Sequence, residues 1–412
     1  MKCALIGKPL GHSYSKEIHA LVADYDYDLV ELDESEVAPY LKKRDFDGIN
    51  VTIPYKQTVM PYLDEISDEA KRIGAVNTIV NRGGRLVGYN TDFAGMSALI
   101  KKNDICVNGK TALVLGTGGT SKTACEVLKS LGASQVLKVS RTPKNGAIDY
   151  DAAITTYGYA QIIVNTTPVG MYPHEDEQPI DLSNFKNLEG VVDAIYHPLC
   201  TNLVLQAKAA GVKACGGLYM LVAQAVYASS LFRNVQADSS SIDRVYDEIS
   251  GQKRNVVLIG MPSSGKSTVG AELAKACGME FIDTDAEVEK KAGVKIADIF
   301  ADCGEAAFRE MEREEISRAA RNTHSVIATG GGAVLNEKNV NALSRNGIIV
   351  FLDRSLDKLV ATSDRPLSSD RKVLEELYAK RYPIYKKCAD VCVNADGDVE
   401  NVVSLIRRDA KI

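Results

Sequence analysis

At 412 residues the chain exceeds one ordinary hydrophobic core, and two or three domains are expected. A composition of 45% hydrophobic and 25% charged residues is that of a soluble globular protein, and a net charge of −5 offers no electrostatic case for a nucleic-acid or anionic-membrane partner. No stretch approaches the ~20 apolar residues of a membrane span, and the apolar run after Met1-Lys2 is too short for a secretory signal. The nine cysteines are scattered without a C-x-x-C pair, and the five histidines show no zinc-site spacing. Free thiols in a reducing cytoplasm are therefore expected, and any metal chemistry is left to the Mg²⁺ of a nucleotide.

The first hundred residues alternate short apolar strands (3–6, 27–32 and 48–53) with amphipathic helical stretches. Three clusters between them look chemical. Gly11-His-Ser-Tyr-Ser15 sets two hydroxyls on alternate positions of a loop, and Asn50-Val-Thr-Ile-Pro-Tyr-Lys56 ends a strand with a lysine beside a proline-fixed turn. Ala75-Val-Asn77-Thr and Asn90-Thr-Asp92 add an amide and a carboxylate. Singly, each cluster is ordinary loop capping. Together they offer a cation and a carboxylate to move a proton, with hydroxyls and amides to hold a polyol.

Residues 111–115 run into Gly116-Thr-Gly-Gly-Thr-Ser121 and then a helix, the strand–turn–helix arrangement in which glycines let backbone approach a pyrophosphate. The next strand, 135–139, leads into Ser140-Arg-Thr142. An NAD site wants a carboxylate there, whereas Arg141 suits the 2′-phosphate of NADP, with Lys144 to assist. Further strands are read at 162–165 and 191–193. This rhythm predicts α/β architecture with parallel, doubly wound sheets. An apolar helix over 218–233 and a polar one over 239–250 follow, then a short polar hinge at 250–254.

Beyond the hinge, the apolar run 256–259 enters Gly260-Met-Pro-Ser-Ser-Gly-Lys-Ser-Thr268, a P-loop. Its backbone N–H groups and a helix N-terminus would cradle nucleotide phosphates, Lys266 would neutralise their charge, and Ser267 would ligate Mg²⁺. No N-K-x-D guanine motif follows, which sets ATP above GTP. Asp283 and Asp285 end the next strand, where one carboxylate can serve Mg²⁺ and the other a substrate hydroxyl. Arg309, the turn Thr329-Gly-Gly-Gly332, Arg365 and Arg381 supply cations and free backbone, and arginine's fork suits a carboxylate substrate. Asp353 imitates a Mg²⁺-binding strand end but is expected to cap the following helix.

The N-terminal part resembles shikimate dehydrogenase through GKPLGHSYSKEIH, NVTIPYK, GAVNT, YNTD, GTGGTSK, SRT, NTTPVGM, IYHPLCTNL and GGLYMLVAQ. That resemblance implies a substrate-binding α/β domain over 1–100, completed by about 218–250, and a Rossmann NADP domain over 101–217. It gives shikimate to Ser13, Ser15, Thr52, Asn77, Asp92, Tyr196 and Gln224, with Lys56 transferring a proton beside Asp92. NADP(H) goes to Gly116, Thr117, Gly118, Gly119, Thr120, Ser140, Arg141 and Thr142, with Asp68 and Gly217 nearby. Lys16 and Tyr219 depart from the family's usual Pro and Gly without removing a reactive group.

Residues 254–412 are similar to shikimate kinase through GMPSSGKST, FIDTDAEVE, IADIF, GEAAFRE, ATGGGAVL, DRPL and AKRYPIY. The resemblance implies a P-loop domain holding ATP through Ser263, Ser264, Gly265, Lys266, Ser267 and Thr268, and Mg²⁺ through Ser267 and Asp283. Shikimate falls to Asp285, Arg309, Gly331 and Arg381, and Arg365 covers ATP from a lid. That lid is short and carries an acidic residue, Asp364, beside its arginine. Ser263 stands where a Gly is frequent, a change expected to matter little. The implied protein is a bifunctional enzyme of aromatic amino-acid biosynthesis, reducing 3-dehydroshikimate to shikimate and phosphorylating shikimate at its 3-hydroxyl. The rival readings are that one half is a non-catalytic binding module, or that the reductase half prefers quinate.

Overall fold

The computed structural model describes residues 1–11, 13–144, 146–360 and 371–412, which divide into two compact units, Met1–Ser250 and Gly251–Ile412. Among the described residues no helix is long and apolar enough to cross a membrane. None of the nine cysteines is in a disulfide.

The first unit contains two sheets. One is built from β1 (Lys2–Gly7), β2 (Asp26–Glu31), β3 (Gly48–Val51), β4 (Glu65–Ile66), β5 (Thr78–Arg82) and β6 (Arg85–Tyr89), in the order β2-β1-β3-β5-β6-β4. Its first three strands run parallel, but β5 lies antiparallel to both β3 and β6. The expected parallel arrangement is thus interrupted by the antiparallel strand β5. The cause is local: Gly83 and Gly84 have φ of 61° and 90°, the two positive values that a two-residue hairpin turn of matching twist requires.

The second sheet is entirely parallel, with β7 (Thr111–Leu115), β8 (Gln135–Val139), β9 (Ile162–Asn165), β10 (Gly190–Asp193) and β11 (Lys213–Cys215) in the order β11-β10-β9-β7-β8. Its central strands β7, β9 and β10 are buried along their whole length, as strands covered by helices on both faces must be.

The helix Leu218–Arg233 returns to the first sheet, packing Phe232 against β3 where Gly48 lacks a side chain. It also meets the helix Thr91–Lys102 so closely that a Cβ on Gly95 would stand 2.7 Å from the Met220 carbonyl oxygen. Ala, Gly and Ser positions on these two helices permit that approach, and it brings Gln224 to the start of the helix Thr91–Lys102. Tyr219, the departure noted above, is buried and donates its hydroxyl to Asp243 at 2.9 Å, tying this helix to the next. That next helix is Ser239–Lys253, so residues 251–253, read as hinge, form its last turn instead. Ile242, Val245 and Ile249 are buried at helical spacing, and this stripe carries the helix past the polar residues.

The second unit holds one parallel sheet, β12 (Asn255–Ile259), β13 (Glu280–Asp283), β14 (Ser325–Ala328), β15 (Gly347–Asp353) and β16 (Val391–Asn394), in the order β13-β14-β12-β15-β16. β12 is central, and the strand order reverses on either side of it. Ligands in open α/β sheets bind at that crevice, beyond the carboxyl ends of the strands.

Candidate active sites

In the first unit the loop after β3 is pinned on both sides. The Tyr55 hydroxyl donates to the Leu32 carbonyl at 2.5 Å, and the Lys56 carbonyl accepts from the Val76 N–H at 2.8 Å. The helix Thr91–Lys102 starts opposite, capped by the Asn90 side chain, which accepts from the Phe93 N–H and leaves Asp92 in the first turn. Lys56 Nζ and Asp92 Oδ2 meet at 2.6 Å, with the two side chains only 18% and 11% exposed. A cation and a carboxylate this sheltered from water interact far more strongly than a surface pair.

Beside them Asn77 is fixed by three donors: the Thr91 N–H at 2.7 Å, the Thr78 hydroxyl at 3.1 Å and the Thr91 hydroxyl at 3.2 Å. Thr91 also approaches Gln224 Oε1 at 3.5 Å. Ser13 and Ser15 pair hydroxyl to hydroxyl at 3.1 Å. They join the rest through Tyr27, whose buried hydroxyl neighbours Ser15 and donates to Asn50 Oδ1 at 2.8 Å, while Asn50 donates to Thr78 and the Asn77 carbonyl. Thr52 sits against Gly7, where a Cβ would come within 2.3 Å of its methyl. Tyr27, Asn50 and Thr91 are the residues that sequence reasoning passed over. They hold Asn77, Thr78 and the serine loop in one hydrogen-bonded frame.

The dinucleotide turn follows β7. Gly116 has φ 110°, the helix Gly119–Ser130 begins directly after it, and no atom crowds Gly118 or Gly119, so a phosphate can reach the backbone. β7 and β8 pair in register, Leu115 opposite Val139, which places Ser140-Arg141-Thr142 at the same end of the sheet as the turn. The Ser140 hydroxyl lies 3.3 Å from the Thr142 N–H, and Arg141 is exposed. These features fit a dinucleotide carrying a 2′-phosphate. Asp68 is less engaged: its carboxylate is 89% exposed and pairs with Lys71 at 3.5 Å. Tyr196 stacks obliquely on Tyr14, centroids 5.3 Å apart, and the Tyr14 hydroxyl meets His197 Nδ1 at 3.0 Å, so the loop after β10 touches the serine loop. Gly217 comes so close to Ala194 that a Cβ would stand 2.3 Å from its carbonyl oxygen. Asp193 braces this loop, accepting from Asn165, the Ile195 N–H and Thr201 at 2.7 to 3.0 Å; burial raises its carboxyl to about 6.

In the second unit the P-loop joins β12 to the helix Lys266–Cys277. Lys266 folds onto the loop, donating to the Gly260 and Met261 carbonyls at 3.0 and 2.9 Å. The Ser264 hydroxyl is buried in the same loop without a hydrogen-bond partner among the described residues. Gly265 has φ 92° and Ser263 φ 63°. The serine at 263 is thus not as neutral as expected, because a left-handed non-glycine residue costs about 1–2 kcal/mol. The Ser267 hydroxyl donates to Asp283 Oδ2 at 2.5 Å, and Asp283 also caps the helix Thr284–Ala292 by accepting from the Asp285 N–H at 3.1 Å. A hydroxyl and a carboxylate in contact beside a P-loop are a donor set that fits Mg²⁺.

Asp285 converges with the three glycines. A Cβ on Gly330 would stand 2.5 Å from Asp285 Oδ1 and 2.7 Å from Glu312 Oε1, and one on Gly332 would stand 2.3 Å from the Arg309 guanidinium. The turn is therefore tightly packed, and not the free backbone that its run of glycines suggests. Arg381 donates to the Gly331 carbonyl at 3.0 Å, and so does the Tyr385 hydroxyl. Glu312, which the motif reading missed, is buried and holds Arg309 at 2.8 Å; burial raises its carboxyl above the usual range while Arg309 pulls it down. Its place three residues after Arg309 on one helix was the available signal. Asp353 does not cap the next helix. It accepts from the Tyr382 hydroxyl at 2.9 Å, a contact from a distant helix that no local pattern announces. Arg365 lies outside the described residues.

Residues 5–79 match the family model described as shikimate dehydrogenase substrate binding domain, and residues 262–411 that described as shikimate kinase. The chain is 38% identical over 257 residues to a shikimate dehydrogenase (NADP(+)) of Clostridium beijerinckii, spanning 59% of this chain and 95% of that protein. The chain belongs to the shikimate dehydrogenase family. It carries a shikimate kinase domain as well, and so joins two catalysts of one pathway. Among solved structures, shikimate dehydrogenase 1 of Peptoclostridium difficile is 38% identical with a TM-score of 0.55, covering 60% of this chain and 98% of that one. Shikimate 5-dehydrogenase of Thermus thermophilus in complex with NADP(H) and shikimate is 31% identical with a TM-score of 0.55, covering 60% and 99%.

Proposed function

We propose that the first unit reduces 3-dehydroshikimate to shikimate with NADPH and that the second phosphorylates shikimate at the 3-hydroxyl with MgATP. The observation that carries this reading is the sheltered Lys56–Asp92 pair, 2.6 Å apart, within a frame of fixed amides and hydroxyls. NADPH supplies a hydride, and MgATP the γ-phosphoryl group. Lys56 gives a proton to the carbonyl oxygen as it becomes a hydroxyl, and Asp92 holds the lysine in place. Ser13, Ser15, Thr52, Asn77, Tyr196 and Gln224 bind the ring and its carboxylate. In the kinase unit Arg309 and Arg381 grip the carboxylate, Gly331 contributes backbone, and Asp285 orients the reacting hydroxyl and accepts its proton. Ser267 and Asp283 hold Mg²⁺, and Arg365 neutralises phosphate charge.

On this reading residues 1–100, with about 218–250, form the substrate lobe, residues 101–217 the NADP lobe and residues 254–412 the kinase. Free thiols at all nine cysteines support a reducing, cytoplasmic setting.

Cofactor choice follows from Arg141. Removing its guanidinium from a 2′-phosphate loses a charge-assisted contact of about 1.5–3 kcal/mol, roughly ten- to hundredfold in NADP affinity. NAD affinity should barely move. Titrating Arg141→Ala with both dinucleotides tests the assignment, and equal weakening of the two would count against it.

A further inference from the structure

The kinase half contains a cation that none of these roles uses. Arg354 follows directly on Asp353, at the carboxyl end of β15, and β15 pairs with the P-loop strand β12. Its guanidinium reaches back over the phosphate loop, so that a Cβ on Gly265 would stand 3.7 Å from Nη1. Arg354 Nε is buried and hydrogen-bonded to nothing among the described residues.

A buried N–H donor without an acceptor is costly unless a ligand completes it. The nearby carboxylates do not take this N–H, although, after the hydrogen bonds from Ser355, the charge of Arg354 helps to hold the Asp396 carboxyl below its usual range. Asp353 accepts from Tyr382 at 2.9 Å, and Asp396 takes both the N–H and the hydroxyl of Ser355 at 2.8 to 2.9 Å. A guanidinium is a planar set of donors matched to phosphate oxygens, and it loses less to desolvation than an ammonium does. The site it overlooks is a helix N-terminus with Lys266 at its first position, where negative charge is favoured. In sequence the lid carries one arginine with Asp364 beside it, so a second cation on the sheet side of the loop supplies charge that the lid lacks.

We propose that Arg354 is a nucleotide-binding residue of the kinase half, its guanidinium donating to the phosphate chain. This rests on the kinase reading above. It adds a residue from a strand end that the P-loop pattern does not include.

Calorimetric titration of the full chain with ADP, AMP and adenosine, for wild type, Arg354→Ala and Arg354→Lys, tests it. Arg354→Ala should weaken ADP binding about tenfold or more and leave adenosine unchanged, with Arg354→Lys intermediate. NADP-dependent turnover should be untouched in both variants, and shikimate affinity retained. Unchanged ADP affinity in Arg354→Ala overturns the proposal, and so does an equal loss for ADP and adenosine, which would place the guanidinium on the base. A wild-type chain that binds ADP yet makes none from ATP and shikimate would instead sink the kinase reading and leave the Arg354 contact standing.

Discussion

Lys56→Ala removes NADP-dependent turnover and leaves ADP formation near the wild-type rate, whereas Lys266→Ala does the reverse. Each lysine is embedded in its own unit. Lys56 is held against Asp92 at 2.6 Å, and Lys266 against two carbonyls of the phosphate loop. A positioned proton donor is worth about 10²–10⁴ in rate, so Lys56→Ala should lower dehydrogenase turnover by at least about 100-fold. Loss of Lys266 removes the fixed positive charge facing the nucleotide, and a fall of at least ~100-fold in phosphorylation is expected. Parallel assays of NADP reduction by shikimate and of ADP formation read both variants. Each activity serves as the folding control for the other variant. A folded variant in which one substitution silences both reactions would contradict independent sites.

Asp285→Asn should lower kinase turnover by about 10²–10⁴ while shikimate still binds. The substitution keeps size and shape and removes the negative charge together with the ability to take a proton. The carboxylate is well placed for that task. It stands in the first turn of the helix Thr284–Ala292, close against the Gly330 backbone, with Arg309 and Arg381 brought to the same glycine turn. On the proposed reading those two arginines are the substrate's carboxylate partners, so affinity for shikimate should fall far less than turnover does. Turnover and equilibrium binding measured on the same preparation decide it. Near-normal turnover would remove Asp285 from the proton-transfer role, and a loss confined to shikimate binding would recast it as a binding residue.

Much of this molecule was legible in the chain before its structure. The strand-then-glycine-then-helix patterns at 111–121 and 256–268 are local, and local chemistry dictates them: β-branched runs for the strands, glycines at positive φ for the turns. The helix 218–233 was equally plain from its continuous apolar character. What escaped notice depends on partners distant in sequence. β5 and β6 went unread because their turn signal, Gly83-Gly84, lies between short runs of mixed polarity. Asn50 looked like a strand-end residue until Tyr27, Thr78 and Asn77 closed around it. Asp353 looked like a cap, because Tyr382, 29 positions away, has no local signature. Arg354 drew no reading from the sequence, because the phosphate loop it faces lies far away along the chain. The supposed hinge failed because Ile242, Val245 and Ile249 set a helical stripe that outweighs the polar residues following it.

The central claim is that one chain makes shikimate in one site and phosphorylates it in another. Incubating the full-length protein with 3-dehydroshikimate, NADPH, ATP and Mg²⁺ tests this directly, with NADPH absorbance and ADP followed together. NADPH should be consumed at once, ADP should appear after a lag as shikimate accumulates, and the two should converge on equal amounts. Omitting NADPH should abolish ADP formation, and adding shikimate should restore it. ADP produced without NADPH or shikimate, or NADPH oxidation with no ADP even when shikimate is supplied, would contradict the account.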